Sequence, residues 1–214
     1  MITIACVLRS GGVYAPEWVW ALKRGLHRHL PLEIQWEFRV LSDLDCFGPW
    51  GNKLDHRWPG WWAKMELFRP GLFNGPVLYL DLDTLIVGDL TEIASYSGDP
   101  LALLSDFYRP YNGQSGMMMW TPGPQSAWIW DNWVRQPDYW MRNYHGDGNV
   151  IDSLSTQYPE HVNRLQDLFP EQIVSYKVHA RLGMPTNARV VCFHGYPKPN
   201  NKECGWAYAE WLRR

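Results

Sequence analysis

The sequence predicts an α/β fold, a sheet flanked by helices, and three observations carry that expectation. The chain opens as strand, helix, strand, which implies parallel pairing and a right-handed crossover. A β-rich apolar run, Val77-Leu78-Tyr79-Leu80, is long enough for a strand buried on both faces. It ends in Asp81-Leu82-Asp83, and a second apolar run, Thr84 to Val87, follows. The length of 214 residues and the apolar share of 46% suit one core. Residues 1–214 are therefore read as a single domain.

In chain order, residues 2–8 read as the first buried strand. Arg9-Ser10-Gly11-Gly12 then turns, with two glycines free to take unusual backbone angles. Pro16 opens a helix in which Val19, Leu22, Leu26 and Leu30 recur on one face, and Pro31 stops it. Residues 34–41 form the second strand. Residues 42–58 are irregular, and a loop of that length in a compact domain is often functional. Residues 61–69 read as a helix ending at Pro70-Gly71. After the aspartate-bearing strand come a short strand at 101–104 and an apolar strand at 117–120. Helices are expected at 127–134 and 149–158, and strands at 173–178 and 189–193. The tail after Pro199 is polar and aromatic. There is no internal repeat and no low-complexity segment.

A net charge of −2 gives no general attraction to nucleic acid or to an anionic membrane. No apolar run reaches the roughly 18 residues a membrane-spanning helix needs. The N-terminus lacks a basic flank and a small-residue cleavage site, so it reads as a strand and not as a signal peptide. Cys6, Cys46, Cys192 and Cys204 show no paired spacing, which suggests free thiols in a reducing, cytoplasmic setting. Fourteen tryptophans are unusual. Aromatic faces suit sugar rings, but core packing is the expected role for any one of them.

The end of a buried strand lies at the carboxyl edge of the sheet, where open α/β folds bind ligands. Two carboxylates there need neutralising. A hard divalent cation carrying phosphate oxygens meets that need. His194 and Lys198 come from a distant segment. The aspartates and His194 make a Mn²⁺ or Mg²⁺ set, and Lys198 can neutralise a leaving phosphate. Gly195 allows the backbone a close approach.

These segments form an ordered series that resembles the family 8 glycosyltransferases, the glycogenin and bacterial galactosyltransferase group. Val13-Tyr14-Ala15 after the first strand resembles the family's uracil-binding segment. Ala63-Lys64-Met65 resembles its Ala-Arg-Leu, and Tyr79-Leu80-Asp81-Leu82-Asp83 its metal motif. Asp106 sits where the family has an aspartate near the donor sugar. Gln114-Ser115-Gly116-Met117 resembles its Asn-Ser-Gly-Val, Gly146-Asp147-Gly148 its Gly-Asp-Gln, and Gly195-x-x-Lys198-Pro199 its closing motif. The resemblance implies a GT-A (Rossmann-like) fold with a mixed central sheet. It also implies metal-dependent transfer of a hexose from a UDP-sugar, or another nucleotide diphosphate sugar, to a saccharide or other acceptor with retention. It places Leu8, Tyr14, Lys64, Asp81, Leu82, Gly195 and Lys198 at the nucleotide, with Tyr14 against the base. Asp81, Asp83 and His194 fall at the metal, and Asp106, Gln114, Asp147 and Lys198 at the sugar and the chemistry.

Two departures stand out. The family's histidine lies three residues before the closing glycine, where this chain has Cys192; His194 precedes that glycine directly. If the last strand stays extended, positions 192 and 194 share a face. The family's glutamine is replaced by Gly148. Asp81-Leu82-Asp83-Thr84 also resembles the haloacid-dehalogenase-type Mg²⁺ phosphatases. Those require Thr or Val where Leu85 stands, and a lysine that is missing between Asp83 and Asp147. A non-catalytic carbohydrate-binding protein would account for the tryptophans and leave Asp81, Asp83 and Lys198 without a role.

Overall fold

The computed structural model describes residues 1–158 and 161–213. Ten strands and seven α-helices are present among them. The strands are β1 (Ile2–Leu8), β2 (Trp36–Ser42), β3 (Gly51–Lys53), β4 (Val77–Leu80), β5 (Leu85–Ile86), β6 (Ala102–Ser105), β7 (Gly113–Trp120), β8 (Asn163–Arg164), β9 (Ile173–Ser175) and β10 (Val190–Cys192). The helices are α1 (Pro16–His29), α2 (Thr91–Ala94), α3 (Pro124–Arg135), α4 (Pro137–Asn143), α5 (Asp147–Gln157), α6 (Leu165–Leu168) and α7 (Trp206–Leu212).

The main sheet has the order β3-β2-β1-β4-β7-β6-β8. All neighbours pair in parallel except that β7 runs against both β4 and β6. The sheet is mixed, and the inverted strand decides what meets at one edge. The carboxyl ends of β1, β4 and β6 and the amino end of β7 lie side by side, so Asp81, Asp106 and Gln114 come to the same rim. The register Leu80↔Met117 continues into a bond from Asp81 N–H to the Gly116 carbonyl at 2.9 Å. A smaller sheet, β5-β10-β9, brings the C-terminal part of the chain to the same region.

Strand alternation sorts the core into two layers. Ile4, Cys6, Leu8, Leu78 and Leu80 pack with α1 on one face. Ala5, Val7, Val77 and Tyr79 face α3, α5 and the tryptophan-rich segment on the other. Trp58, Trp62, Trp120, Trp130, Trp133 and Trp140 are buried in that second layer and Trp18 in the first, so half of the fourteen tryptophans are buried core residues.

Several elements depart from the sequence reading. The helix expected at 61–69 is a 3₁₀ helix, Gly60–Phe68. Six of its nine residues, Trp62, Ala63, Met65, Glu66, Leu67 and Phe68, are buried, so it is packed on most of its sides. The strand expected through 178 stops at Ser175, whose hydroxyl caps the turn that follows by accepting from the Val178 N–H at 3.2 Å. The last strand stops at Cys192. The tail, to which the sequence assigned no element, forms α7, which docks Ala207 into a third apolar cluster, and its Glu210 pairs with Arg28 of α1 at 2.6 Å. No helix of the described residues is long and apolar enough to cross a membrane.

Candidate active site

A cavity of about 660 Å³ opens at the carboxyl edge of the main sheet. Tyr14, Lys64, Asp81, Leu82, Asp83, Asp106, Gln114, Asp147, His194, Gly195 and Lys198 all line it. Segments far apart in sequence thus line one cavity. The exception is Leu8. Its side chain is buried in the α1 layer, and its carbonyl accepts from Ser42 Oγ at 2.8 Å. Alternation turns its neighbour Val7 to the cavity instead, together with Arg9.

Five charged side chains form the floor. Lys64 Nζ lies 2.9 Å from Asp81 Oδ1 and 3.0 Å from Asp147 Oδ2. Burial opposes the Lys64 ammonium, but Asp147 and Asp81 more than offset it and hold the lysine above its usual pKa. Asp81 Oδ1 also accepts from Tyr79 O–H at 2.6 Å, and Asp147 Oδ2 from Ser115 O–H at 2.5 Å. Lys198 pairs with Asp83 Oδ2, which also accepts from Tyr14 O–H at 2.8 Å. Three carboxylates therefore meet two ammoniums, and one negative charge is left over. Burial raises the Asp83 pKa, and the charge of Asp81 adds to that, against Lys198 and Tyr14.

Asp83 Oδ1 is buried and has no hydrogen-bond partner among the described residues. An ionised oxygen in that state calls for a cation. Two carboxylates supplemented by substrate phosphates are a normal Mg²⁺ or Mn²⁺ environment. The donor set therefore fits a hard divalent ion held by Asp81 and Asp83.

His194 does not join them. Among the described residues no three His, Cys, Asp or Glu side chains gather closely enough to hold a metal ion. Because β10 ends at Cys192, alternation no longer governs position 194. The imidazole is instead hydrogen-bonded through Nε2 to Ser175 Oγ at 2.7 Å and stacked on Phe107, with planes 15° apart. Burial, then Lys177 and Lys198, lowers its pKa, so it is a neutral wall residue. Cys192 also lines the cavity, and burial, then the charges of Asp83 and Asp81, pushes its thiol up.

The remaining expected residues sit on the walls. Asp106 Oδ1 accepts from the N–H groups of Tyr108 and Arg109, both at 2.8 Å, and so shapes its own loop. Trp61, 56% exposed, is the tryptophan that faces the cavity. Tyr79 and Ser115 were given no role by sequence reasoning. Tyr79 shares a strand face with Asp81 two positions on, a signal that was there to be read.

Gly148 explains the missing glutamine locally. A Cβ at this position would lie 3.1 Å from Ser115 Oγ and 3.2 Å from Ser115 N. The first turn of α5 rests directly on β7 and carries Asp147 to Lys64. Gly148→Ala is expected to push α5 outward and to destabilise the protein by about 1–3 kcal/mol. A melting point lowered by a few degrees in calorimetry is the expected reading; an unchanged one would mean the turn has room.

No protein-family model matches the sequence, and no curated protein does. Solved structures do share the fold. The glycosyltransferase GlyE of Streptococcus pneumoniae superposes with a TM-score of 0.70 at 15% identity, covering 99% of this chain and 60% of that one. The galactosyltransferase LgtC in complex with donor and acceptor sugar analogues gives 0.63 at 16% identity, covering 97% of this chain and 93% of that one. The bifunctional glycosyltransferase WbbM gives 0.60 at 11% identity. The chain thus spans about 60% of the length of GlyE and nearly all of LgtC. The shared fold is GT-A, with the mixed sheet that the motif series implied.

Proposed function

We propose that this protein is a metal-dependent glycosyltransferase that moves a hexose from a nucleotide diphosphate sugar, a UDP-sugar in the first instance, to a saccharide or other acceptor. One observation carries the reading. On a GT-A fold, the carboxyl-edge cavity gathers Asp81, Asp83, Asp147, Lys64 and Lys198 around an unpartnered buried carboxylate oxygen. The cavity is of the size small-molecule sites occupy.

Asp81 and Asp83 are the residues that would hold Mn²⁺ or Mg²⁺. When bound, the ion supplies positive charge to the leaving diphosphate. With such an ion in place the floor, otherwise left with one negative charge, would be net positive, which would suit an anionic donor. Lys198 then exchanges its partner, Asp83, for the diphosphate as charge builds there. Lys64 holds Asp81 and Asp147 together despite their like charges. Asp147, Gln114 and Asp106 are proposed to orient the hexose and acceptor. Trp61 offers an aromatic face to a sugar ring. No side chain identifies itself as a covalent nucleophile, and retention is proposed from the resemblance to family 8. The four free cysteines support a reducing compartment, and we propose the cytosol.

The test is a screen of UDP- and GDP-hexoses for Mn²⁺-dependent release of the nucleoside diphosphate. Release from one donor, accelerated by acceptor saccharides and stopped by EDTA, is expected. Release of inorganic phosphate from sugar phosphates instead would identify a phosphatase. Lys198→Ala should lower kcat by about tenfold or more and change the donor KM less, because the ammonium serves charge that grows in the transition state. A change in KM alone would assign Lys198 to ground-state binding.

A further inference from the structure

Tyr14 stands where the motif series puts a platform for the base, yet its polar end is engaged elsewhere. Its hydroxyl donates to Asp83 Oδ2 and accepts from Lys198 Nζ, both at 2.8 Å. Lys198 pairs with the same Asp83 oxygen. Phenol, carboxylate oxygen and ammonium close a triangle. The ring is fixed too. Its edge meets Trp18 with centroids 5.1 Å apart and planes at 87°, and Trp18 is itself buried against Trp211. The Lys198 ammonium sits off the hydroxyl end of the ring, 5.3 Å from its centroid.

A phenol has one proton and two lone pairs. Here the proton goes to Asp83 and a lone pair receives Lys198. Oδ2 of Asp83 consequently has two donors, and buried Oδ1 has none. The carboxylate is turned so that a single oxygen remains free.

We propose that Tyr14 is a positioning residue of this site: its hydroxyl aims Asp83 so that Oδ1 alone is offered to a divalent cation, and it holds Lys198 beside that cation. The inference rests on the nucleotide-sugar reading and deepens it. It assigns to the hydroxyl a role that base stacking, which uses only the ring, does not require. A phenylalanine would keep the ring against Trp18. It would leave Oδ2 one donor short and Lys198 with one fewer anchor.

Tyr14→Phe therefore separates the two roles. Mn²⁺ binding is read by electron paramagnetic resonance, UDP binding by calorimetry, and turnover by UDP release. In the variant the Mn²⁺ dissociation constant should rise, and kcat fall, by about tenfold, the scale for residues that orient metal ligands. UDP affinity without metal should stay within about twofold of wild type, because the ring is retained. Lys198→Ala made on top of Tyr14→Phe should add less than it does alone, since the two act through one contact. A Tyr14→Phe protein with wild-type Mn²⁺ affinity and kcat overturns the inference, and Tyr14→Ala with weakened UDP binding would then give the ring to the base. A wild-type protein that binds neither UDP nor Mn²⁺ overturns the underlying function instead, and the two failures are distinguishable.

Discussion

Asp83→Asn is expected to lower Mn²⁺-dependent turnover by at least about 100-fold, more than the loss of an outer-shell partner brings, while leaving the metal-free protein no less stable. The substitution keeps the shape and removes the charge. In the wild type, burial and the neighbouring Asp81 hold the Asp83 carboxyl above the ordinary carboxylate value, against Lys198 and Tyr14. A raised carboxyl pKa means the folded state binds the proton more tightly than the unfolded one. Stability then falls as pH climbs from the ordinary carboxylate value through the raised one. Above that interval the ionised group is a standing cost to the metal-free fold, and asparagine removes it. Melting curves in EDTA from about pH 4 to about pH 8 should show the wild type losing ground to Asp83→Asn as pH rises. Mn²⁺ should reverse the order by stabilising the wild type alone. Turnover at the wild-type level in the variant would remove Asp83 from the metal site.

The largest effect on folding is expected from Glu66→Ala. Glu66 is fully buried, and its carboxylate accepts the N–H groups of Asp55 and His56, both at 2.7 Å. Arg69 pairs with it at 3.0 Å and with Asp55 as well. The irregular stretch before Trp58 is thus pinned onto the 3₁₀ helix that carries Trp61 and Lys64 to the cavity. Removing the carboxylate leaves two N–H groups without their acceptor and the Arg69 guanidinium with Asp55 as its remaining partner. Breaking a buried charged contact in this way costs about 3–5 kcal/mol. At roughly 2–4 °C per kcal/mol for a chain of this size, the melting point should fall by about 6–20 °C. A drop below about 3 °C would show that water or Asp55 replaces it.

What was legible in the sequence was local. Val77 to Asp83 announced a buried strand with carboxylates at its end, because composition and run length suffice for that. Pro16 and the spacing of Val19, Leu22 and Leu26 marked α1 for the same reason. What depended on where strands stop was not legible. His194 shares a face with Cys192 only if β10 continues, and it does not. Leu8 falls on the core side because of a parity that shows only when the sheet is assembled. The antiparallel insertion of β7, which brings Gln114 and Ser115 beside Asp81, is a tertiary choice that no local pattern records. The partners of Lys64 and Lys198 were invisible for the same reason: each is held by carboxylates distant in sequence. The helix α7 was hidden by its aromatic composition, which reads as tail until Trp206 and Ala207 find their apolar cluster.

The carboxylate floor, with Asp83 Oδ1 free, is expected to bind a divalent cation together with a nucleoside diphosphate. Calorimetric titration of UDP into the wild-type protein, with Mn²⁺ and again with EDTA, tests it most directly. The predicted result is UDP binding at least about tenfold tighter with Mn²⁺, a coupling of about 1.4 kcal/mol that Mn²⁺ titrated against saturating UDP must reproduce. Equal UDP affinity with and without the metal, or no binding in either, would contradict it.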